Sequence, residues 1–251
     1  MSRKLNIAVF STASLPIPPF AGYGGTQRGV YDFLVQMNRK GHRLHLFGPG
    51  DSNVGGLENV SLHSPVKQSL WVPENTATTE EKEEQSRIHF EQSIRTMREL
   101  DQTNDLDIIN IRFDNLPALE QIVDEFGRER IVYSLHNIRN KTRIEAIRDL
   151  GIQCVAHCRN HREQYEDLSN ITTIVYGIDV KSYPFSQATL SQLPRTPALP
   201  DLVKLWEQKR DYLITLGGIG KNKGQKTSVM VAKEAGIPLI IAGTPQDRTS
   251  N

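Results

Sequence analysis

The run Leu5-Asn6-Ile7-Ala8-Val9-Phe10, followed by Pro18-Pro19 and then Tyr23-Gly24-Gly25-Thr26-Gln27-Arg28, decides the fold. Leu5 to Phe10 is short, apolar and partly β-branched, which predicts a strand. Beyond the glycines, Val30, Phe33, Leu34 and Met37 fall at i, i+3, i+4 and i+7 and form one apolar helical stripe. Gly41 is a suitable C′ glycine for that helix. His42 to Phe47 then predicts a second strand, with Leu44 and Leu46 alternating against polar neighbours, and Gly48-Pro49-Gly50 stops it. Strand, glycine-bearing turn, helix and strand together make a βαβ unit.

The same alternation continues outward. A short strand is predicted near Val60 to His63, and Thr78 with Glu81 forms a capping-box signal. The helix it opens carries Phe90, Ile94 and Met97 on one face, and the charged run Glu80 to Glu84 is its solvated first turn. Strands follow at Asp107 to Ile111, Ile131 to Leu135, Gln153 to His157 and Ile171 to Val175. Between them lie helices at about Leu116 to Phe126 and Lys141 to Leu150, and a shorter one. This is an α/β chain around a mostly parallel sheet. Pro184, Pro194, Pro197 and Pro200 disfavour regular structure and predict a linker over 181–210. A new unit then opens with strand Tyr212 to Leu216, a Gly/Lys-rich loop, a helix to about Ala235 and strand Pro238 to Ala242. The expected organisation is a Rossmann-like N-terminal domain over 1–180 and the start of a second Rossmann-like domain over 211–251. One βαβ unit of about 40 residues falls at the size below which a domain seldom folds unaided, so the second domain reads as incomplete.

Composition narrows the function classes. The 251 residues carry 30 Lys+Arg against 29 Asp+Glu, a net charge of +1 that gives no global argument for nucleic acid or an anionic surface. With 37% hydrophobic and 24% charged residues, the composition is that of a soluble globular protein, and no apolar run is long enough for a bilayer. Ile7 to Phe10 is too short for a signal-peptide core, so a cytoplasmic protein is expected. Cys154 and Cys158 match neither a redox pair nor a zinc ribbon and are expected to be buried or semi-buried free thiols.

Three segments could carry chemistry. Gly24 and Gly25 stand between the first strand and the first helix, at a carboxyl strand end, where glycines let backbone amides approach a phosphate; the sequence is not the dinucleotide fingerprint, and glycines here also serve backbone geometry. Leu216-Gly217-Gly218-Ile219-Gly220-Lys221-Asn222-Lys223-Gly224 lies between another strand and helix, with four glycines for close approach and two lysines for charge. It lacks the ending of a P-loop, so an NTPase is not expected, and taken alone it reads as a basic solvated turn. His136 in Ser134-Leu135-His136-Asn137 ends a strand and can donate a hydrogen bond to a substrate hydroxyl or phosphate, although a lone histidine is more often structural. No metal site is expected: His42 and His45 fall on opposite faces of one strand, and His157 with the cysteines lacks a fourth ligand.

Taken together these segments resemble the family 4 glycosyltransferases. Tyr23-Gly24-Gly25-Thr26-Gln27-Arg28 is similar to that family's glycine loop, and Lys40-Gly41-His42 to its RGH turn. Asp107-Ile108-Ile109, Ser134-Leu135-His136-Asn137 and Val175-Tyr176-Gly177-Ile178-Asp179 resemble its DIIH, TLH and NGID segments in order. Leu216-Gly217-Gly218 through Lys223-Gly224, then Ile237-Pro238-Leu239-Ile240-Ile241-Ala242-Gly243, resemble the opening of its second domain.

The resemblance implies a GT-B fold, two facing Rossmann-like domains with the active site in the cleft, and metal-free transfer of a sugar from a nucleotide sugar with retention at the anomeric carbon. It implies that Gly24, Gly25 and Thr26 lie near the donor diphosphate, that His136 faces the transferred sugar as the catalytic residue, and that Lys223 pairs with the diphosphate. A sugar or lipid-linked acceptor, peripheral membrane association and self-association through an exposed C-terminal strand are the expected partners, with no nucleic acid. The departures are Gly218 in place of an arginine, Asn110 in place of a histidine, and Tyr176 in place of an asparagine. The family's EX7E region lies downstream of anything present, so the chain reads as a fragment or a truncated descendant and is expected to be an incompetent transferase alone. The rival readings are a non-catalytic binding protein of the same fold and, less favoured, a sugar-nucleotide epimerase.

Overall fold

The computed structural model describes residues 3–19, 24–72, 74–104, 106–136, 141–163, 165, 168–175, 177, 211–220 and 223–243. The expected linker over 181–210 lies outside the described residues, as do Tyr23, Asn137, Tyr176, Lys221 and Asn222.

Seven strands form one sheet: β1 (Asn6–Ser11), β2 (Arg43–Phe47), β3 (Val60–His63), β4 (Ile108–Arg112), β5 (Ile131–Leu135), β6 (Gln153–Ala156) and β7 (Ile171–Thr173). Their spatial order is β3-β2-β1-β4-β5-β6-β7 and every pairing is parallel. The chain builds outward from β1 in one direction, then returns to build from β4 in the other. The switch point of this doubly wound sheet therefore lies at the carboxyl ends of β1 and β4.

The inner strands are buried on both faces, as parallel sheets require, while the edge strands β3 and β7 are only half-buried. Ile7 and Val9 of β1 pack with Leu44 and Leu46 of β2 against Val30 and Leu34 of helix α1 (Gly25–Arg39). Ala8 and Phe10, pointing the other way, join Phe47, Ile109 and Ile111 beneath α2 (Thr79–Asn104) and α3 (Leu116–Phe126). The ring of Phe10 lies within 5.8 Å of those of Phe47, His89, Phe90 and Phe113, an aromatic cluster at the centre of that layer.

Local chemistry sets the helix ends. Gly41, at φ 76, closes α1 with the Gly41 N–H bonded to Asn38 O and the His42 N–H to Met37 O, a Schellman arrangement. Thr78 and Glu81 exchange the two bonds of a capping box at the start of α2, at 2.7 and 3.2 Å. Asn115 caps α3 by accepting from the Ala118 N–H at 3.1 Å. Helices α4 (Lys141–Leu150) and α5 (Arg159–Glu163) complete this unit.

A second compact unit holds β8 (Leu213–Leu216), α6 (Gln225–Ala235) and β9 (Leu239–Ala242), with β8 and β9 paired in parallel. Just beyond that pair, a Cβ on Gly243 would stand 1.8 Å from Gly217 O, so only glycine permits the approach. Ile214, Leu216 and Ile241 are exposed. No helix among the described residues is long and apolar enough to cross a membrane.

Two expectations need correction. Cys154 is buried, but Cys158 is exposed, because β6 ends at Ala156 and Cys158 leads into α5 at the surface. The strand expected over Ile171 to Val175, β7, stops at Thr173, and Ile174 and Val175 are exposed beyond it.

Candidate functional site

Two adjacent glycines begin α1 in different ways. Gly24 has φ 123, and a Cβ there would sit 2.6 Å from Pro19 Cβ, so both conformation and space demand glycine. Its carbonyl accepts from the Arg28 N–H at 2.9 Å, closing the first helical turn. Gly25 is exposed, and among the described residues no neighbouring side chain or loop comes within 4 Å of the place a Cβ would take. It stands at a helix N-terminus, where the first amides have no intrahelical acceptor and favour anions. Thr26, half-buried, is in the same turn.

The loop leaving β1 is tied to this turn. Gln27 is buried and donates from Nε2 to Ser14 Oγ at 3.3 Å, while Ser14 Oγ lies 2.6 Å from Thr12 Oγ1. Hydroxyl and amide groups therefore collect where β1 ends, beside the open glycine.

Further along the same carboxyl edge, His136 follows β5 and His157 follows β6. The pairing of Leu135 with Ala156 brings them side by side, and the two imidazoles stack with centroids 4.9 Å apart and planes at 27°. His136 is half-buried, neither a core residue nor a fully solvated one. Arg112, at the end of β4 and opposite Ser11, is buried; its Nε donates to Asn110 Oδ1 at 2.6 Å and its guanidinium lies 5.1 Å from the Phe33 ring centre. Asn110 thus serves as the acceptor that orients a buried cation at the switch point.

Gly24, Gly25 and Thr26 share one turn, and His136 stands on the same sheet edge, two strands from β1. Lys223 belongs to the second unit. It is exposed in the loop before α6, with its N–H bonded to Gly220 O at 3.0 Å. That loop is held by Gln225, whose Nε2 donates to Gly218 O at 3.0 Å, and Gly224 enters the helix at φ 77.

His42, His45, His63 and His89 serve the interior. His42 Nδ1 accepts from the Leu5 N–H at 3.0 Å. His45 lies 3.0 Å from His63 and 3.1 Å from Asn6 Oδ1; burial, then the neighbouring His63 and Arg43, push its pKa down to about 4. His89 is held at 2.9 Å from Ser11 O, and burial lowers its pKa against that bond. Burial drives the Cys154 thiol up to about 12, leaving it unreactive.

Ser14, Gln27 and Arg112 escaped the sequence reading. A basic residue closing the isoleucine-rich strand Ile108 to Ile111, two positions after the polar Asn110, was a usable signal for Arg112. The Ser14–Gln27 contact depends on how the loop returns to the helix and has no local signature.

The sequence matches no family model, and no curated protein matches it. The fold does have solved relatives. Sucrose-phosphate synthase from Thermosynechococcus elongatus superposes with TM-score 0.59 at 14% identity, covering 98% of this chain and 64% of its own. A glycosyltransferase from Rickettsia africae superposes with TM-score 0.51 at 14% identity, over 98% of this chain and 70% of its own. Anabaena HepE, solved with UDP and glucose, gives 0.50 at 13% identity, over 97% and 70%. This is the GT-B glycosyltransferase fold. The chain spans less than two thirds of the sucrose-phosphate synthase. Within the GT-B fold, the open glycine turn, the β1 exit loop and His136 occupy the carboxyl edge of a doubly wound sheet, the edge at which such sheets receive ligands.

Proposed function

We propose that the chain is a retaining, nucleotide-sugar-dependent glycosyltransferase of the family 4 type, acting in the cytoplasm. The observation that carries the reading is Gly25, whose Cβ position no described residue approaches, at the start of α1 on the same sheet edge as His136 in a fold shared with glycosyltransferases. Glycosyl transfer breaks the bond between the anomeric carbon and the diphosphate oxygen. Positive charge then develops on the sugar ring and negative charge on the departing diphosphate. In this reading the amides of Gly25 and Thr26 meet that growing charge, Lys223 neutralises diphosphate as a point charge, and His136 hydrogen-bonds the transferred sugar. No metal enters the proposal. The acceptor is a sugar or a lipid-linked sugar, the latter met by peripheral association with a membrane, and the exposed face of β8 and β9 is a surface for self-association.

The test is incubation with a panel of nucleotide sugars and mixed glycoside acceptors. It follows nucleoside diphosphate release and the anomeric configuration of any product by NMR. Product of retained configuration supports the reading. Nucleotide-sugar binding without turnover marks a non-catalytic binding protein of the same fold, and product of inverted configuration contradicts the mechanism.

A further inference from the structure

Among the described residues of this unit, Trp71 is a large aromatic side chain left open: it is 57% exposed, while its neighbours Leu70 and Val72 are 2% and 6% exposed. The two flanking residues anchor the backbone and turn the indole outward. The anchoring is extensive. Leu70 packs with Val66 and Ala13, and the N–H groups of Leu70 and Trp71 both donate to the β1 exit loop, at Ala13 O and Ser14 O, each at 2.9 Å. Asp51 accepts from the Ser69 hydroxyl at 2.7 Å, and Asn75 Nδ2 donates to Ser69 O at 2.9 Å. Lys82 of α2 sets its ammonium 5.1 Å from the indole centre, which helps to fix the ring.

The Trp71 N–H is bonded to the carbonyl of Ser14, whose hydroxyl contacts Thr12 and Gln27 in the loop that leads to the glycine turn of α1. The residue that carries this exposed indole is thus tied, through its backbone, to the loop whose hydroxyl and amide groups lie at the carboxyl edge of the sheet. A pyranose ring has this complementarity: axial C–H bonds on one face suit an aromatic plate, and equatorial hydroxyls around the rim seek small hydrogen-bonding groups. An exposed indole costs solvation that a flat ligand recovers, and pinning the ring in advance removes most of the ordering penalty of binding.

We infer that Trp71, with Ser14 and Thr12, forms a stacking subsite for a pyranose ring. Assigning that ring to the acceptor, rather than to the donor, rests on the transferase reading; the stacking itself does not.

Trp206 is the second of the two tryptophans, so Trp206→Phe leaves Trp71 as the only indole reporter. The experiment titrates this variant with the methyl glycosides of glucose, galactose and mannose, and separately with UDP, while following emission. A saturable emission change with at least one glycoside and none with UDP is expected. By calorimetry, Trp71→Ala then weakens that glycoside about tenfold or more, and Trp71→Tyr recovers most of the loss. A flat response to all three glycosides, or equal glycoside affinity in Trp71→Ala, overturns the inference. A response to UDP alone overturns it in favour of a nucleobase platform. If glycosides bind at Trp71 but no nucleotide sugar binds anywhere, the transferase reading fails and the sugar subsite stands.

Discussion

The imidazole of His136 stacks on that of His157, centroid to centroid at 4.9 Å, at the ends of two neighbouring strands. In the proposed function this half-buried ring hydrogen-bonds the transferred sugar, and it contributes little to the core. In a form of the protein with its second domain restored, so that turnover can be measured, His136→Ala is therefore expected to lower it about ten- to hundredfold, the worth of a hydrogen bond to a group that gains charge. The melting temperature should move little. Steady-state kinetics beside thermal unfolding check both. Normal turnover with a large loss of stability would mark His136 as structural.

The two glycines of the turn should separate cleanly. Gly24→Ala forces a Cβ into Pro19 at a φ that side chains avoid, and should cost about 1–3 kcal/mol or more in thermal unfolding. Gly25→Ala meets open space at the first helical position and should leave stability unchanged or slightly raised. Gly25→Val should keep the fold and weaken any ligand that approaches the helix N-terminus. Unchanged affinity in Gly25→Val would refute the role given to this turn.

Acid should destabilise the main unit through its interior histidines. His45, His63 and His89 all have lowered folded-state pKa values, caused first by burial. The unfolded chain therefore binds more protons than the native one once the pH falls below about 6.5. Their contribution is complete above that value and is lost as the pH falls toward about 4, the folded value for His45. Each kcal/mol lost lowers the melting temperature by about 2–4 °C in a protein of this size. Melting curves between pH 7 and 4, for the wild type and for His45→Gln, measure the effect. A flatter profile in His45→Gln is expected, and a wild type insensitive to pH over this window would contradict it.

Much of the first unit was legible because its punctuation is strong. Helix Leu116–Phe126 lies between a capping Asn115 and Gly127, and α1 ends at a glycine that local geometry demands. Sheet order was not legible, since a period-2 pattern says which residues are buried but not which strand lies beside them. The site divides along the same line. The glycine pair was visible from its position between strand and helix, whereas the different duties of Gly24 and Gly25 depend on Pro19 returning beneath the turn. The His136–His157 stack depends on the register of β5 with β6, and the outward turn of Trp71 on Leu70 reaching Ala13; no local pattern encodes either.

The most direct test of the account is calorimetric titration of the purified chain with a panel of nucleotide sugars, alongside Gly25→Val. The account predicts saturable binding of at least one nucleotide sugar, weakened about tenfold or more in Gly25→Val while both proteins melt cooperatively at similar temperatures. No binding across the panel by a cooperatively folded wild type, or equal binding by the two proteins, would contradict it.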